Sequence, residues 1–219
     1  MTKSETQELL VQLYLRLNGY FTTGLIVHSP EFGNNLTEID CLAIRNPCHE
    51  QPERGVEPPE FLQIEDGITD IIICEVKTST ATFNTSLRSN PESLENILRW
   101  AGMFPKNEIS SIADELRPLL QDDTSIEDMR NGVVRNNVRV RALLSCPPQS
   151  ESEGAKWLLT GGEIFRFANL CLSPEKRRET CSTRYPLRQW YPFSDIVEIL
   201  KDNDIMDVDQ LYACLNLED

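Results

Sequence analysis

The sequence predicts an α/β fold, a central mixed sheet of four to five strands flanked by helices, and three observations carry that expectation. The apolar run Ile71-Ile72-Ile73-Cys74-Glu75-Val76-Lys77 suits a strand buried on both faces. Residues 133–145 alternate at the strand period, and Leu36 to Arg45 places Glu38 and Asp40 on one strand face. Around these, residues 4–18, 91–101 and 164–172 repeat apolar side chains at helical spacing.

In chain order, residues 4–18 form a helix with Ser4 as N-cap and Leu9, Leu10, Leu13 and Leu17 on one stripe. Tyr20 to Ser29 is a strand, paired with Leu36 to Arg45 across the turn-rich residues 30–35. Pro47, Pro52, Pro58 and Pro59 among acidic residues mark an exposed insertion over residues 46–70. After the Glu75 strand, the Ser-, Thr- and Asn-rich residues 78–91 read as a loop bordering it. Pro91 opens a helix that Gly102 stops, and Ile109 to Leu120 carry a second helical pattern. Residues 133–145 form a further central strand and Trp157 to Leu159 a short one. Thr160-Gly161-Gly162-Glu163 has capping-box spacing ahead of a helix that covers the sheet. Two short acidic helices follow Pro192, at 194–201 and 208–217. The expected division is one domain over 1–190 and a short helical extension over 191–219.

A chain of 219 residues with 40% hydrophobic content can bury a core. Seven cysteines, an odd number without a Cys-x-x-Cys pair, point to reduced thiols in a cytoplasmic protein. No segment has the length and apolarity of a membrane span, and the first residues lack the apolar centre of a signal peptide. The net charge of −14 has the wrong sign for general attraction to a phosphate backbone. The acid concentrates in residues 50–65, 114–128 and 202–219, which leaves room for a local basic face. It also favours a partner or an oligomer that delivers the substrate.

Glu75 and Lys77 project from one strand face, with Val76 between them on the other. If the strand bearing Asp40 pairs with this one, two carboxylates and an amine converge. Adjacent carboxylates repel, and a hard divalent cation such as Mg2+ or Mn2+ relieves the repulsion; Glu38 is an extra candidate ligand. Other polar residues read as ordinary surface. Arg139 and Arg141 share one side of their strand as a solvated face, Lys176-Arg177-Arg178 complements a helix C-terminus, and Arg184, Arg188 and Trp190 sit in a surface loop. His28 and His49 are isolated, Cys48-His49 lacks further zinc ligands, and Asp202, Asp204, Asp207 and Asp209 miss the EF-hand register.

A helix carrying Glu8 ahead of Gly19-Tyr20-Phe21, a strand carrying Asp40, and an apolar strand ending in Glu75-Val76-Lys77 together resemble the signature of the PD-(D/E)XK nuclease superfamily. That superfamily includes type II restriction enzymes and archaeal Holliday junction resolvases. The resemblance spans residues 5–80, with Ile39 where the motif has a proline. It implies a restriction-endonuclease-like core with a small helical C-terminal appendage. It also implies that Asp40, Glu75 and the Val76 carbonyl hold Mg2+ or Mn2+, assisted by Glu8 with Glu5 as the fallback. Lys77 would then act on the water that attacks a phosphodiester, in DNA more readily than RNA. The implied partners are nucleic acid and either a second copy in a homodimer or a protein that recruits the substrate; no membrane is implied. Two further readings stay open: a catalytically inactive binding or regulatory subunit, and an effector of a bacterial antiviral defence or mobile-element system that a partner switches on.

Overall fold

Strand β3 (Thr69–Val76) is buried along its whole length except at Val76, as a strand apolar on both faces must be. In the computed structural model, which describes residues 1–29, 35–52, 55–151, 157–172 and 187–217, two longer strands flank it. Strand β2 (Asn35–Arg45) pairs with it antiparallel and β5 (Val138–Cys146) pairs parallel. At one edge β1 (Phe21–His28) runs antiparallel to β2; at the other, β4 (Val133–Arg135) and β6 (Leu158–Thr160) both pair with β5. The result is a mixed sheet of six strands, one more than the largest number expected. The extra strand arises because residues 133–145 do not run straight. Asn136 and Asn137 take φ of 51° and 61°, the two left-handed residues of a tight hairpin, and fold β4 back on β5.

Helix α1 (Lys3–Leu17) starts from Thr2, not Ser4. Thr2 Oγ1 accepts the Glu5 amide and the Glu5 carboxylate accepts the Thr2 amide, a reciprocal cap that sets the boundary. Its buried surface is wider than the leucine stripe, since Val11, Tyr14 and Leu15 are also enclosed. Helix α6 (Gly161–Leu172) covers that side: Tyr14 meets Phe167 edge-on at 5.5 Å and donates to Glu163. The Glu163 carboxylate therefore serves Tyr14 and Arg166, and only the Thr160 half of the expected capping box forms, at 3.5 Å. The C-terminal helices α7 (Ser194–Asp202) and α8 (Val208–Cys214) share this core, and Gln7 of α1 donates to the Tyr212 hydroxyl at 2.6 Å.

Between β3 and β4 lie α2 (Thr85–Ser89), α3 (Pro91–Ala101), α4 (Ile109–Leu116) and α5 (Ile126–Asn131). Helices α2 and α5 stand where no helix was expected, being too short to display a period. The pattern expected to reach Leu120 tightens into a 3-10 turn over Arg117–Leu120.

Arg139 and Arg141 overturn the expectation of a solvated face, because both are buried around Asp70. Their Nε atoms donate to Asp70 Oδ1 at 3.0 and 3.1 Å, and Tyr20 donates to Oδ2 at 2.5 Å. The described residues of 46–66 are mostly exposed, yet Leu62 is buried, and the carbonyls of Leu62 and Gln63 accept from Arg141 and Arg139. The insertion thereby completes the shell of a buried ion cluster, as buried charge requires. The residues Lys176, Arg177, Arg178 and Arg184 lie outside the described ones. Among the described residues, no helix is long and apolar enough to cross a membrane, and all six cysteines are free thiols.

Candidate active site at the end of the central strand

The β2–β3 ladder ends at the Cys41–Cys74 pair. One residue further, β2 bulges against β1, with Asp40 and Cys41 together opposing Gly24. A bulge turns a side chain out of the regular pleat. Asp40 leaves the ladder there, and its Oδ2 accepts the Val76 amide at 2.7 Å, where a backbone carbonyl would otherwise sit.

Strand β3 ends at Val76, so Lys77 stands just past it, although its amide still bonds the Ser145 carbonyl at 2.8 Å. The Glu75 side chain is fully buried. Its Oε2 accepts from Lys77 Nζ at 2.7 Å and from the Asn84 amide at 2.9 Å. Lys77 Nζ also donates to Asn84 Oδ1 at 2.7 Å. Asn84 precedes α2 as its N-cap, yet its side chain serves Lys77 and makes no cap bond. Glu75 Oε1 is buried without a hydrogen-bond partner among the described residues.

Three carboxyls here are raised above their ordinary range, burial being the largest cause for each. For Glu75, Lys77 and the Asn84 amide pull back against burial, while Asp40 adds to it. For Asp40, the Val76 amide and Lys77 oppose burial and Glu38 adds to it. For Glu8, the Asp40 charge is the second cause, opposed by a bond from Ser4, and Glu5 and Glu38 push further. Asp40, Glu75 and Lys77 thus meet at the strand end, with Glu8 and Glu38 in the same acidic neighbourhood. Glu5 is engaged at the helix cap and held below its ordinary range there. Among the described residues, no three His, Cys, Asp or Glu side chains gather closely enough to form a metal-ligating group.

Sequence reading did not single out Asn84 or Gln12. Gln12 lies one turn after Glu8 on α1 and donates to the Asp40 carbonyl at 3.1 Å, so the i, i+4 spacing was the available signal. The Gly19-Tyr20 pair has a structural job. Gly19 takes φ of 85°, a Cβ there would lie 2.3 Å from the His49 ring, and Tyr20 belongs to the Asp70 cluster. His28 is exposed at the end of β1, and Cys48 is exposed. No protein-family model, no curated protein and no solved structure matches this chain.

Proposed function

We propose that this protein is a metal-dependent nuclease of the PD-(D/E)XK kind, hydrolysing phosphodiester bonds in DNA more readily than in RNA. One observation carries the proposal: Asp40, Glu75 and Lys77 converge at one strand end, with Glu75 Oε1 buried and unpartnered among the described residues. The order of α1, an antiparallel β1-β2-β3 meander and a parallel β5 supports a restriction-endonuclease-like core.

A buried carboxylate oxygen lacking a donor, beside a second carboxylate, has the chemistry of a hard-cation ligand. Mg2+ takes one or two protein carboxylates and keeps several waters, so a pair without a third close ligand suits it. Asp40 and Glu75 would hold Mg2+ or Mn2+ together with the Val76 carbonyl, and Glu8 would assist through water. When bound, the ion would acidify a water and offset charge on the scissile phosphate.

Asp40 is held for this task by the Val76 amide at its side chain and by Gln12 at its carbonyl. Lys77, fixed between Glu75 and Asn84, would orient the attacking water and counter the charge that develops on phosphate oxygens. The net charge of −14 favours one second reading, an inactive subunit whose partner contacts the nucleic acid. A cleavage panel separates the two: duplex, single-stranded and branched DNA and RNA, each with Mg2+ or Mn2+, and Asp40→Ala as control. The nuclease reading predicts a metal-dependent product that Asp40→Ala does not form; no product with any substrate leaves the subunit reading.

A further inference from the structure

Glu8, Gln12 and Arg16 recur every four residues on α1 and so share one face over about 12 Å. Glu8 stands beside Asp40 and Gln12 holds its carbonyl. Arg16 lies at the far end, in a groove of about 620 Å3 that Gln12 also lines. The start of β1 forms one wall of this groove and the segment around Tyr191 contributes another.

Two features set this groove apart. In a chain of net charge −14, the Arg16 guanidinium has no carboxylate partner among the described residues. It lies over the rings of Trp190 and Phe193 at 4.8 and 5.4 Å and gives one N–H to the Gln189 carbonyl, which fixes its plane and leaves other donors available. The second feature is aromatic. Phe21 and Tyr191 are the two most exposed large hydrophobic side chains among the described residues, at 70% and 80%, and both line this groove.

Aromatic faces standing in solvent beside a fixed cation match single-stranded nucleic acid, whose bases stack on rings while its phosphates meet the cation. A duplex hides its base faces and depends on phosphate contacts, which the net charge opposes. We propose that the groove beside α1 holds a single strand of DNA, with bases on Phe21 and Tyr191 and a phosphate on Arg16, and leads it along α1 towards Asp40 and Glu75. This rests on the nuclease reading of the carboxylates.

The test is fluorescence anisotropy with a labelled oligodeoxythymidylate of about 12 nucleotides, a length within one groove's usual site size. EDTA is present so that nothing is cut, and a duplex and an oligouridylate of the same length run beside it. The single DNA strand should bind about tenfold more tightly than the duplex, and Phe21→Ala and Tyr191→Ala should each weaken it by about fivefold or more. Arg16→Gln should lower the slope of log affinity against log salt by about 0.7, and Arg16→Lys should restore that slope. Circular dichroism should show the wild-type fold for both ring variants, whose side chains stand mostly in solvent. Equal affinity in the folded ring variants, preference for duplex or RNA, or no binding overturns the proposal. Cleavage by the wild type without these binding effects sinks the groove alone. Ring-dependent single-strand binding with no cleavage in any metal sinks the nuclease reading alone.

Discussion

Oε2 of Glu75 lies 2.7 Å from Nζ of Lys77, and the carboxyl is still raised above its ordinary range because burial outweighs the ammonium. Lys77 therefore restrains a shift that would otherwise be larger. Lys77→Met should move the Glu75 titration further up, observed by NMR with labelled glutamate carboxyls. An unchanged or lower midpoint would contradict the ion pair.

Raised carboxyls have a cost that can be measured. A group whose pKa is raised on folding contributes stability that is full below its unfolded pKa and is lost as pH rises through the folded one. Ionised Glu75 and Asp40 thus weaken the metal-free fold as pH climbs out of the ordinary carboxylate range. Glu75→Gln should raise Tm by about 2–4 °C at neutral pH without divalent ions, which corresponds to about 1 kcal/mol for a chain of this size. Adding Mg2+ should then stabilise the wild type more than the variant in the same calorimetric scan. A lower Tm for Glu75→Gln would show that the charge is favourable where it stands.

Asp70 has the opposite sign. Burial alone would push its carboxyl up, but Arg141 and Arg139 and their hydrogen bonds outweigh burial and hold it below the ordinary range. Its stabilising contribution is present above the unfolded pKa and lost as pH falls through the folded one. Asp70→Asn leaves the buried Arg141 guanidinium without its acid and Arg139 with Glu65 alone, and should cost about 3–5 kcal/mol in urea denaturation at neutral pH. The gap from wild type should narrow in acid; a constant gap would mean that the cluster is held by packing alone.

The β4–β5 hairpin depends on two left-handed asparagines. Asn137→Val should lower stability by about 1–2 kcal/mol, the usual penalty for a β-branched or other side chain in that conformation, whereas Asn137→Gly should be tolerated. Equal Tm values for the two variants would refute the turn.

What the sequence displayed was whatever rests on local pattern. The apolar run before Glu75 marked the central strand, and two-residue spacing placed Lys77 beside Glu75. Asp40 reached them, yet by a bulge and a bond to the Val76 amide rather than by the plain strand pairing that alternation implied. Arg139 and Arg141 looked solvated because their partner, Asp70, is 69 and 71 residues away in the chain, and nothing local marks a long-range ion cluster. Asn136-Asn137 was a turn signal inside an otherwise alternating stretch, overridden there by the strand period. Asn84 gave no sign, since its role depends on a loop folding back onto Lys77.

We propose that Asp40, Glu75 and Lys77 act together in metal-dependent phosphodiester hydrolysis. Single-turnover cleavage of one labelled DNA in Mg2+ or Mn2+, by wild type, Glu75→Ala and Lys77→Ala purified side by side, tests it most directly. Each substitution should slow cleavage by about a hundredfold or more, as loss of one preorganised electrostatic group does. Variants that cut as fast as the wild type, or a wild type whose cutting is indifferent to EDTA, would contradict it.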